Sequence, residues 1–303
     1  SSLEPATINI AAQSIGSYDA IIMCDVEILT LSNYSIVETE NVDGTANGVK
    51  FSNDGSLLAV AHQNGNRLTV YDTTTWNKIT GTPSLPSTGT GCDFNNDGSL
   101  LAATNLFTSP HLTIIDTSTW TEVSGTPSLS EEAYDCCFSP DGAYLAVARQ
   151  NGFFDNRTLD VFDPSPWNPV SLASNPPEWC MGCSFSPDGT LLAVTQNGGD
   201  GLLVYDTSTW DIISTSPTLP SYGTACEFSP DGTRLAVGVG TSPNLLVFDT
   251  STWNTISGTP TLPRTANGLS YNSDGSKLMV TYDENPNVKI YDTTTWAEID
   301  DPL

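Results

Sequence analysis

Apolar residues along the chain form short runs that are separated by turn residues at regular distances. Two runs flank an Asp-Gly turn, as in FSPDGTLLAV at 185–194, and a third run, LLVYD at 202–206, follows after a further turn. Asp-Gly between strand-like runs favours a tight hairpin, because Gly accepts a positive φ and Asp bonds its own backbone. A short fourth run follows, for example NKIT at 77–80. The pattern predicts four short strands, and no sustained helical period is present, which excludes helical repeats.

The hairpin stretch recurs along most of the chain. Its copies are FSNDGSLLAV (51–60), FNNDGSLLAA (94–103), FSPDGAYLAV (138–147), FSPDGTLLAV (185–194), FSPDGTRLAV (228–237) and YNSDGSKLMV (271–280). Successive copies start 43, 44, 47, 43 and 43 residues apart. A period of this size with four strands in each unit is typical of a propeller blade. Residues 1–43 lack the hairpin stretch but keep four apolar runs, TINIAAQ (7–13), DAIIMC (19–24), EILTLS (27–32) and SIVETE (35–40), which makes seven units.

We therefore expect a single all-β domain over residues 1–303, a seven-bladed β-propeller of four-stranded antiparallel blades. The blades are expected at about 1–43, 44–86, 87–130, 131–177, 178–220, 221–263 and 264–303. The last unit also has a fourth run, AEID at 297–300. Blade 1 is therefore expected to pack against blade 7, so that the ring closes without a strand shared between the chain ends.

An apolar residue followed by Asp ends every third run. These dipeptides are Tyr71-Asp72, Ile115-Asp116, Phe162-Asp163, Tyr205-Asp206, Phe248-Asp249 and Tyr291-Asp292. They stand where WD40 repeats have Trp-Asp, and residues 44–303 resemble a WD40-like propeller array. The Gly-His dipeptide of that family is missing, and the chain has only two histidines. The closer resemblance is to divergent units in propeller proteins of bacteriophages and prophages, often within or beside virion and tail components, which are rarely enzymes.

The charge balance narrows the range of partners. The chain has 35 Asp and Glu against 9 Lys and Arg, a net charge of −26. Nucleic acid and anionic membrane surfaces are poor partners for such a chain, because binding their phosphates requires clustered cations. The acidity fits an extracellular or salt-exposed particle. No apolar run reaches 18 residues, so no membrane insertion is expected.

Seven cysteines raise the question of a metal or redox site. Four of them lie two residues before the motif aromatic, where other units have Ile10, Val49 or Leu269; these are Cys92, Cys136, Cys183 and Cys226. This interchange indicates a thiol used as a small buried hydrophobe near the central axis. The alternative is a metal or redox ring, but Cys180-x-x-Cys183 lacks a second pair at zinc spacing. A disulfide at Cys24 or Cys180 is a further alternative, although the odd count and the repeat-locked positions argue against a bridged framework.

Other candidate sites also favour structural interpretations, so no cofactor is expected. The stretch from Asp93 to Gly98 resembles a calcium loop, but Thr104 stands where the closing Glu would fall, which favours a hairpin turn. The Trp of each third-strand turn is expected to cover the outer strand of its blade. The two histidines are expected in loops without a partner motif, so no catalytic triad and no enzymatic activity are predicted.

The loops opposite the Asp-Gly turns are the irregular part of the chain, and we expect them to form a binding face. Amides and acids beside exposed aromatics suit carbohydrate or protein recognition. The chosen anchors are Phe153, Phe154 and Trp179, with Gln150, Asn156, Arg157, His62, Asn64, Phe107, His111, Gln196, Asn197 and Tyr282 around them. The alternative is ordinary loop composition, with the aromatics folded onto the ring.

The sequence thus predicts a non-catalytic structural or binding propeller. The preferred hypothesis is a virion-surface protein, in a decoration, tail or vertex position, that mediates attachment or particle contacts. Its partners would be other virion proteins or a host-surface glycan or protein, and its location the virion or the extracellular space. The alternative is a bacterial extracellular or cytosolic scaffold for protein–protein interaction, and an enzyme is the least favoured class.

Overall fold

A computed structural model describes residues 28–32, 35–40, 46–75, 77–150, 158–272, 274–281 and 288–299. In these ranges every regular element is a β-strand, and all strand pairs are antiparallel. The described part of the chain has no helix that is long and apolar enough to cross a membrane. The prediction of an all-β, antiparallel fold is confirmed.

The strands form separate open sheets that follow one another along the chain, numbered here as sheets 1 to 7. Sheet 1 has two strands, β1 (Ile28–Ser32) and β2 (Ser35–Glu40). The first strands of sheets 2 to 7 are β3 (Ala46–Phe51), β6 (Gly89–Phe94), β10 (Ala133–Phe138), β14 (Cys180–Phe185), β18 (Gly223–Phe228) and β21 (Gly268–Tyr271). The second strands are β4 (Leu57–His62), β7 (Leu100–Asn105), β11 (Leu145–Arg149), β15 (Leu191–Gln196), β19 (Arg234–Val239) and β22 (Lys277–Thr281). The third strands are β5 (Leu68–Asp72), β8 (Leu112–Asp116), β12 (Leu159–Asp163), β16 (Leu202–Asp206), β20 (Leu245–Asp249) and β23 (Val288–Asp292).

The fourth strand is shorter than predicted, and in three sheets it is absent. Sheets 3, 4 and 5 have two-residue fourth strands, β9 (Thr121–Glu122), β13 (Asn168–Pro169) and β17 (Asp211–Ile212). In sheets 2, 6 and 7 the fourth run makes only a single bridge, Tyr71 to Lys78, Phe248 to Thr255 and Tyr291 to Glu298. The prediction of four strands in every unit is therefore wrong for these three sheets. The connector does not account for the difference, since Gly-Thr-Pro follows the run in sheets 2 and 6 and also in sheet 3, which keeps β9.

The Asp-Gly turns are tight hairpins, as predicted. In sheet 5 the Asp188 carboxylate accepts hydrogen bonds from the Ser186 hydroxyl (2.6 Å) and from the Thr190 N–H (3.0 Å). These bonds hold the pKa of Asp188 below its usual value. Gly189 follows with φ of 72°, a conformation that favours glycine. Asp54, Asp97, Asp141, Asp231 and Asp274 bond the N–H two residues ahead in the same way.

In sheets 3 to 7 the turn after the third strand places a tryptophan against the preceding sheet. In sheet 5 the Asp206 carboxylate accepts the N–H of Ser208 at 2.8 Å, and the Trp210 N–H donates to the Asp206 carbonyl at 2.7 Å. This geometry puts Trp210 at φ of 58°, which is costly for a non-glycine residue. The ring is nevertheless buried and packs edge-on against Tyr144 of sheet 4, with centroids 4.9 Å apart. The hydrophobic contact offsets the backbone strain, and Trp120, Trp167, Trp253 and Trp296 share the positive φ.

The hydrophobic core lies between the sheets, which pack face to face in chain order from sheet 2 to sheet 7. Each interface contains the first-strand residue that the sequence predicted to be a small hydrophobe. These residues are Cys92, Cys136, Cys183, Cys226 and Leu269. Burial raises the pKa of each of the four thiols, which therefore remain protonated near neutral pH. The prediction of buried, hydrophobe-like cysteines is confirmed for these four positions.

Neighbouring first strands approach so closely that some positions accommodate only glycine. A Cβ atom on Gly48 of β3 would lie 2.5 Å from the Thr90 carbonyl oxygen and 2.6 Å from the Gly91 Cα on β6. Backbone atoms cannot move away as a flexible side chain could, so any side chain at this position would push the two sheets apart. The first strands of consecutive sheets, such as β3 and β6, therefore lie side by side with backbone against backbone.

In each regular unit a threonine hydroxyl in the turn after the third strand donates a hydrogen bond to the Asp-Gly turn between the first two strands. We predict that this bond stabilises the fold. The buried Thr207 hydroxyl donates to the Gly189 carbonyl at 2.7 Å. Replacement of Thr207 by Val keeps the shape but leaves the carbonyl unpaired, so it should cost about 1 kcal/mol of unfolding free energy, or about 2 °C in Tm. Thermal and urea denaturation would measure this loss.

The matched control is Thr209→Val, which removes an exposed hydroxyl from the same turn. It should change the unfolding free energy by no more than about 0.5 kcal/mol. The same bond is made by Thr73, Thr117, Thr250 and Thr293, while sheet 4 has Pro164 at this place. Equal effects of the two substitutions would show that the bond between the turns contributes nothing.

Candidate functional site

The loops at one end of the sheets expose three large aromatic side chains. This end, here the loop face, is where second strands end and first and third strands begin. Phe107 is 71% exposed, Tyr222 41% and Trp179 38%, and they are the exposed large hydrophobic residues of the described ranges. Phe107 lies between β7 and β8, Trp179 directly precedes β14, and Tyr222 directly precedes β18. All three therefore lie on the face that the sequence selected for binding.

Phe107 is held outwards by its backbone. Its N–H donates to the Glu132 carboxylate at 3.2 Å, across the junction between sheets 3 and 4, and the neighbouring Leu106 N–H donates to Thr88 at 3.0 Å. The backbone has φ of 58°, so an aromatic residue occupies a left-handed conformation that it rarely adopts. Neither burial nor a core contact of the ring offsets this strain, which is a feature that functional loops share.

Trp179 and Tyr222 occupy equivalent positions in neighbouring sheets. Each lies four residues before the buried cysteine of its first strand, Cys183 and Cys226. The Trp179 carbonyl accepts the N–H of Asn197 at 2.8 Å, and the Tyr222 carbonyl accepts that of Gly240 at 3.0 Å. Tyr222 was missed by the sequence reasoning, although this shared offset from the cysteine would have revealed it.

Three predicted binding residues are buried and lie outside this surface. His62 is 1% exposed at the end of β4, and its Nε2 lies 2.9 Å from the Thr69 hydroxyl. His111 is 7% exposed, with Nδ1 3.2 Å from the Asn105 carbonyl oxygen. Gln196 is fully buried at the end of β15, and its amide donates to the Glu178 carbonyl at 3.3 Å. His62 and Gln196 end their strands, where side chains still alternate towards the core, and His111 directly precedes β8.

The other predicted residues fall into two groups. Asn64 and Asn197 are exposed in loops, and Gln150 is half-buried, with its N–H donating to the Glu132 carbonyl at 2.9 Å. Five residues lie outside the described ranges, and their place in the binding face stays a prediction: Phe153, Phe154, Asn156, Arg157 and Tyr282.

A cavity of about 580 Å³ lies among the first strands of sheets 2 to 7, which all contribute to its lining. Lys50 of β3, Asp135 of β10 and Glu227 of β18 face it. The Lys50 Nζ lies 3.8 Å from Asp93 Oδ1, and 43% of the Lys50 side chain is accessible. The negative charges of Glu227 and then of Asp93 raise the pKa of Lys50, so this ammonium stays charged. Lys50 and the carboxyl groups of Asp135 and Glu227 therefore line the cavity, and the buried Asp93 carboxyl group beside Lys50 completes a cluster of one cation and three carboxyl groups.

Asp93 belongs to this cluster and not to a calcium loop. Its Oδ2 accepts the Phe138 N–H at 2.7 Å, across the junction with sheet 4, and burial raises its pKa. Asp97 instead bonds the Ser99 N–H within its own hairpin at 3.0 Å. The two carboxylates therefore serve different partners, and the hairpin interpretation is confirmed. In the ranges described, no group of three or more His, Cys, Asp and Glu is placed to hold a metal ion.

Asp135 stands where four other first strands have glycine, namely Gly48, Gly91, Gly182 and Gly268. Its Oδ1 accepts the Cys136 N–H at 2.9 Å, and its Oδ2 accepts the Cys183 N–H of the next sheet at 3.1 Å. Burial raises the pKa of Asp135 to about 7 in spite of these bonds. The sequence reasoning missed this charged interior. Its signal was the break in the glycine pattern, together with Lys50, Asp93 and Glu227 directly before the motif aromatic.

The arrangement suits binding and internal charge pairing. The carboxyl groups and Lys50 face one another inside the cavity, while the aromatic groups face solvent at the loop face. No protein-family model matches the chain, and no curated protein matches it. The function proposed below therefore depends on the repeat, the loop face and the cavity themselves.

The elevated pKa of Asp135 predicts a stability that falls as pH rises. Between the usual aspartate pKa of about 3.9 and the folded value of about 7, the folded state binds more protons than the unfolded state. Stability should fall there by at most about 1.4 kcal/mol per pH unit and level off above pH 7. Asp135→Asn should remove this dependence, which urea denaturation at several pH values would measure.

Lys50 and Asp93, the charged groups that act on Asp135, are present in the wild type and in the Asp135→Asn variant. Their own titration therefore cancels in the difference between the two stability profiles. Asn at position 135 changes the hydrogen bonds to the Cys136 and Cys183 N–H groups, so we also expect a difference in unfolding free energy that is the same at every pH. Asp211→Asn, which changes an exposed carboxylate on β17, is the control and should leave the pH profile unchanged. Parallel profiles of wild type and Asp135→Asn would refute the assignment of this titration to Asp135.

Proposed function

We propose that the chain is a non-catalytic, seven-bladed β-propeller displayed on a virus particle, whose loop face binds a partner. The observation that carries the binding role is the exposure of Phe107, Trp179 and Tyr222 on one face. The proposal has three parts, which are the closed ring, the binding face and the location on a particle.

The packing of sheets 2 to 7 supports a ring. Consecutive sheets pack face to face, and Lys50 of sheet 2 shares one cavity with Glu227 of sheet 6 and Leu269 of sheet 7, so the row of sheets curves back towards its start. Val49 of sheet 2 and Leu269 of sheet 7 are half-buried, whereas the equivalent cysteines of the sheets between them, Cys92, Cys136, Cys183 and Cys226, are buried. This difference favours a further sheet against sheet 2. The paired strands β1 and β2 match the third and fourth runs of the first unit.

The closed ring predicts that residues 1–43 stabilise the rest of the chain. Their deletion should expose one face of sheet 2 and cost several kcal/mol, on the order of 10 °C in Tm. A peptide of residues 1–43 added to the truncated protein should restore part of the loss. Scanning calorimetry would measure both, and electron-microscopy averages of the full chain should show seven lobes.

Two outcomes would contradict the ring. One is an unchanged Tm of the truncated protein, and the other is class averages with six lobes. Either would require that sheets 2 to 7 form an arc or a smaller ring without the first unit.

The aromatic residues support recognition of an oligosaccharide or of a protein surface. An exposed ring offers a flat apolar contact, and exposed amides such as that of Asn197 bond hydroxyls or backbone groups beside it. Trp179 and Tyr222 repeat at one position of successive sheets, so an extended ligand can contact both. The cost of holding Phe107 in a left-handed conformation is explained if its ring is used in binding.

The location on a particle is supported by the resemblance to phage propellers and by the charge. A net charge of −26 opposes self-association of many copies in solution and disfavours nucleic acid. A protein displayed at high density on a surface benefits from both properties.

The test of the function combines fractionation with binding. Density-gradient fractions of the native source should contain the chain in the particle fraction, where mass spectrometry gives its copy number. Recombinant protein should bind a member of an immobilised oligosaccharide panel or the stripped particles. Trp179→Ala and Tyr222→Ala should each weaken this binding about tenfold or more with unchanged Tm.

Pro187→Ala, at an exposed position on the opposite face, is the control and should bind as wild type does. A chain found only in the soluble fraction would overturn the virion location and favour a scaffold. Full binding by both aromatic variants, or a collapse of their Tm, would overturn the binding face.

A further inference from the structure

Two thiols from different sheets meet inside the protein. The Cys137 Sγ on β10 lies 3.1 Å from the Cys183 Sγ on β14, and the Cys137 thiol donates a hydrogen bond to the Cys183 sulfur. Both residues are free cysteines, 7% and 5% exposed, and both line the central cavity. A disulfide bond is about 2.05 Å long, so an approach of about 1 Å separates this contact from a covalent bond.

The meeting depends on the sequence of one sheet. In two other junctions the residue directly before the motif aromatic bonds to the first strand of the next sheet. The Asp93 carboxylate accepts the Phe138 N–H at 2.7 Å, and the Ser184 hydroxyl accepts the Phe228 N–H at 3.2 Å. Among the described sheets, only sheet 4 has cysteine at this position, Cys137. The pair therefore arises from one departure from the repeat.

We propose that Cys137 and Cys183 form an oxidisable pair, which a two-electron oxidant such as hydrogen peroxide converts to a disulfide that links sheets 4 and 5. Both thiols line the cavity, so a small oxidant that enters it reaches their sulfur atoms. Cys226, Cys92 and Cys183 each contact a backbone carbonyl, at 3.7 Å from Ala193, 3.6 Å from Ala59 and 3.9 Å from Ala146. Cys183 differs from the other two in its additional contact with a second sulfur atom.

The chemistry requires one equivalent of peroxide. Burial raises the pKa of both thiols, but the hydrogen bond from Cys137 lowers the pKa of Cys183 and raises that of Cys137. Cys183 is therefore the thiol of the pair that loses its proton more readily and acts as the nucleophile. Its sulfur attacks one peroxide oxygen, the O–O bond breaks, and the leaving hydroxide takes the thiol proton to form water. The Cys137 sulfur then attacks the sulfenic sulfur, the S–O bond breaks, and a second water leaves with the Cys137 proton. Two thiols are oxidised to one disulfide, and the peroxide is reduced to two waters.

The bond would tie the ring where neighbouring sheets are closest. It encloses β11 to β13 and the connector that leads into sheet 5, a loop of about 45 residues, and crosslinks of this span constrain the unfolded chain strongly. Oxidation should therefore raise Tm by on the order of 5 °C, and a reductant should reverse the rise.

The experiment exposes the folded protein to hydrogen peroxide and then alkylates it under denaturing conditions. We expect two fewer alkylated thiols than in the untreated protein. Mass spectrometry should show one disulfide between the Cys137 peptide and the Cys183 peptide, and dithiothreitol should break it. Cys137→Ser and Cys183→Ala should each abolish this crosslink. Cys136→Ala, next to Cys137 in the chain, should retain it and so excludes a bond through Cys136.

Ser184→Cys provides a matched gain of function. It should place a thiol beside Cys226 at the junction of sheets 5 and 6 and create a second crosslink under the same treatment. Retention of all thiols by the folded wild-type protein would overturn the proposal, as would a crosslink between other cysteines. This wild-type result does not depend on the folding of any variant.

Discussion

The close approach of neighbouring first strands is the constraint on which the other features depend. Gly48 has no space for a Cβ atom because the backbone of β6 lies against it. Packing this tight leaves room for a thiol or a small aliphatic group in each interface, which explains why Cys92 and its counterparts alternate with Leu269. The same approach brings the charged side chains next to these positions together, so Lys50 lines one cavity with Glu227, lies 3.8 Å from Asp93, and offsets part of their negative charge.

Several departures from the repeat pattern occur together in sheet 4. It has Asp135 in place of glycine, Cys137 beside the aromatic, Pro164 in place of the bridging threonine, and the longest spacing to the next unit. The Asp135 carboxylate bonds the Cys183 N–H, and the Cys137 thiol contacts the Cys183 sulfur, so both changes act on the same junction. The sheet that lacks the turn-to-turn hydrogen bond is thus also the one with additional contacts to the next sheet.

The sequence was sufficient for local structure because each local signal has a single physical solution. Asp-Gly between apolar runs forms one type of hairpin, and Asp188 bonds its turn as expected. The fourth strands were overestimated because apolar content does not reveal how many residues of a run pair with the neighbouring strand. His62 and Gln196 were assigned to loops for a related reason, since one residue decides whether a side chain at a strand end faces solvent or core.

The interior charges and the thiol pair depend on contacts between units, which a comparison of aligned repeats shows only as departures. Asp135 and Cys137 each break a pattern, but the consequence of the break follows from the residue that the next sheet brings beside it. The turns that recur in every regular unit therefore specify the shape of each sheet. The positions that vary between units supply the interior carboxyl group of Asp135, the second thiol of Cys137 and the exposed rings of Trp179 and Tyr222. In a repetitive chain, chemistry is best sought where one unit differs from its neighbours.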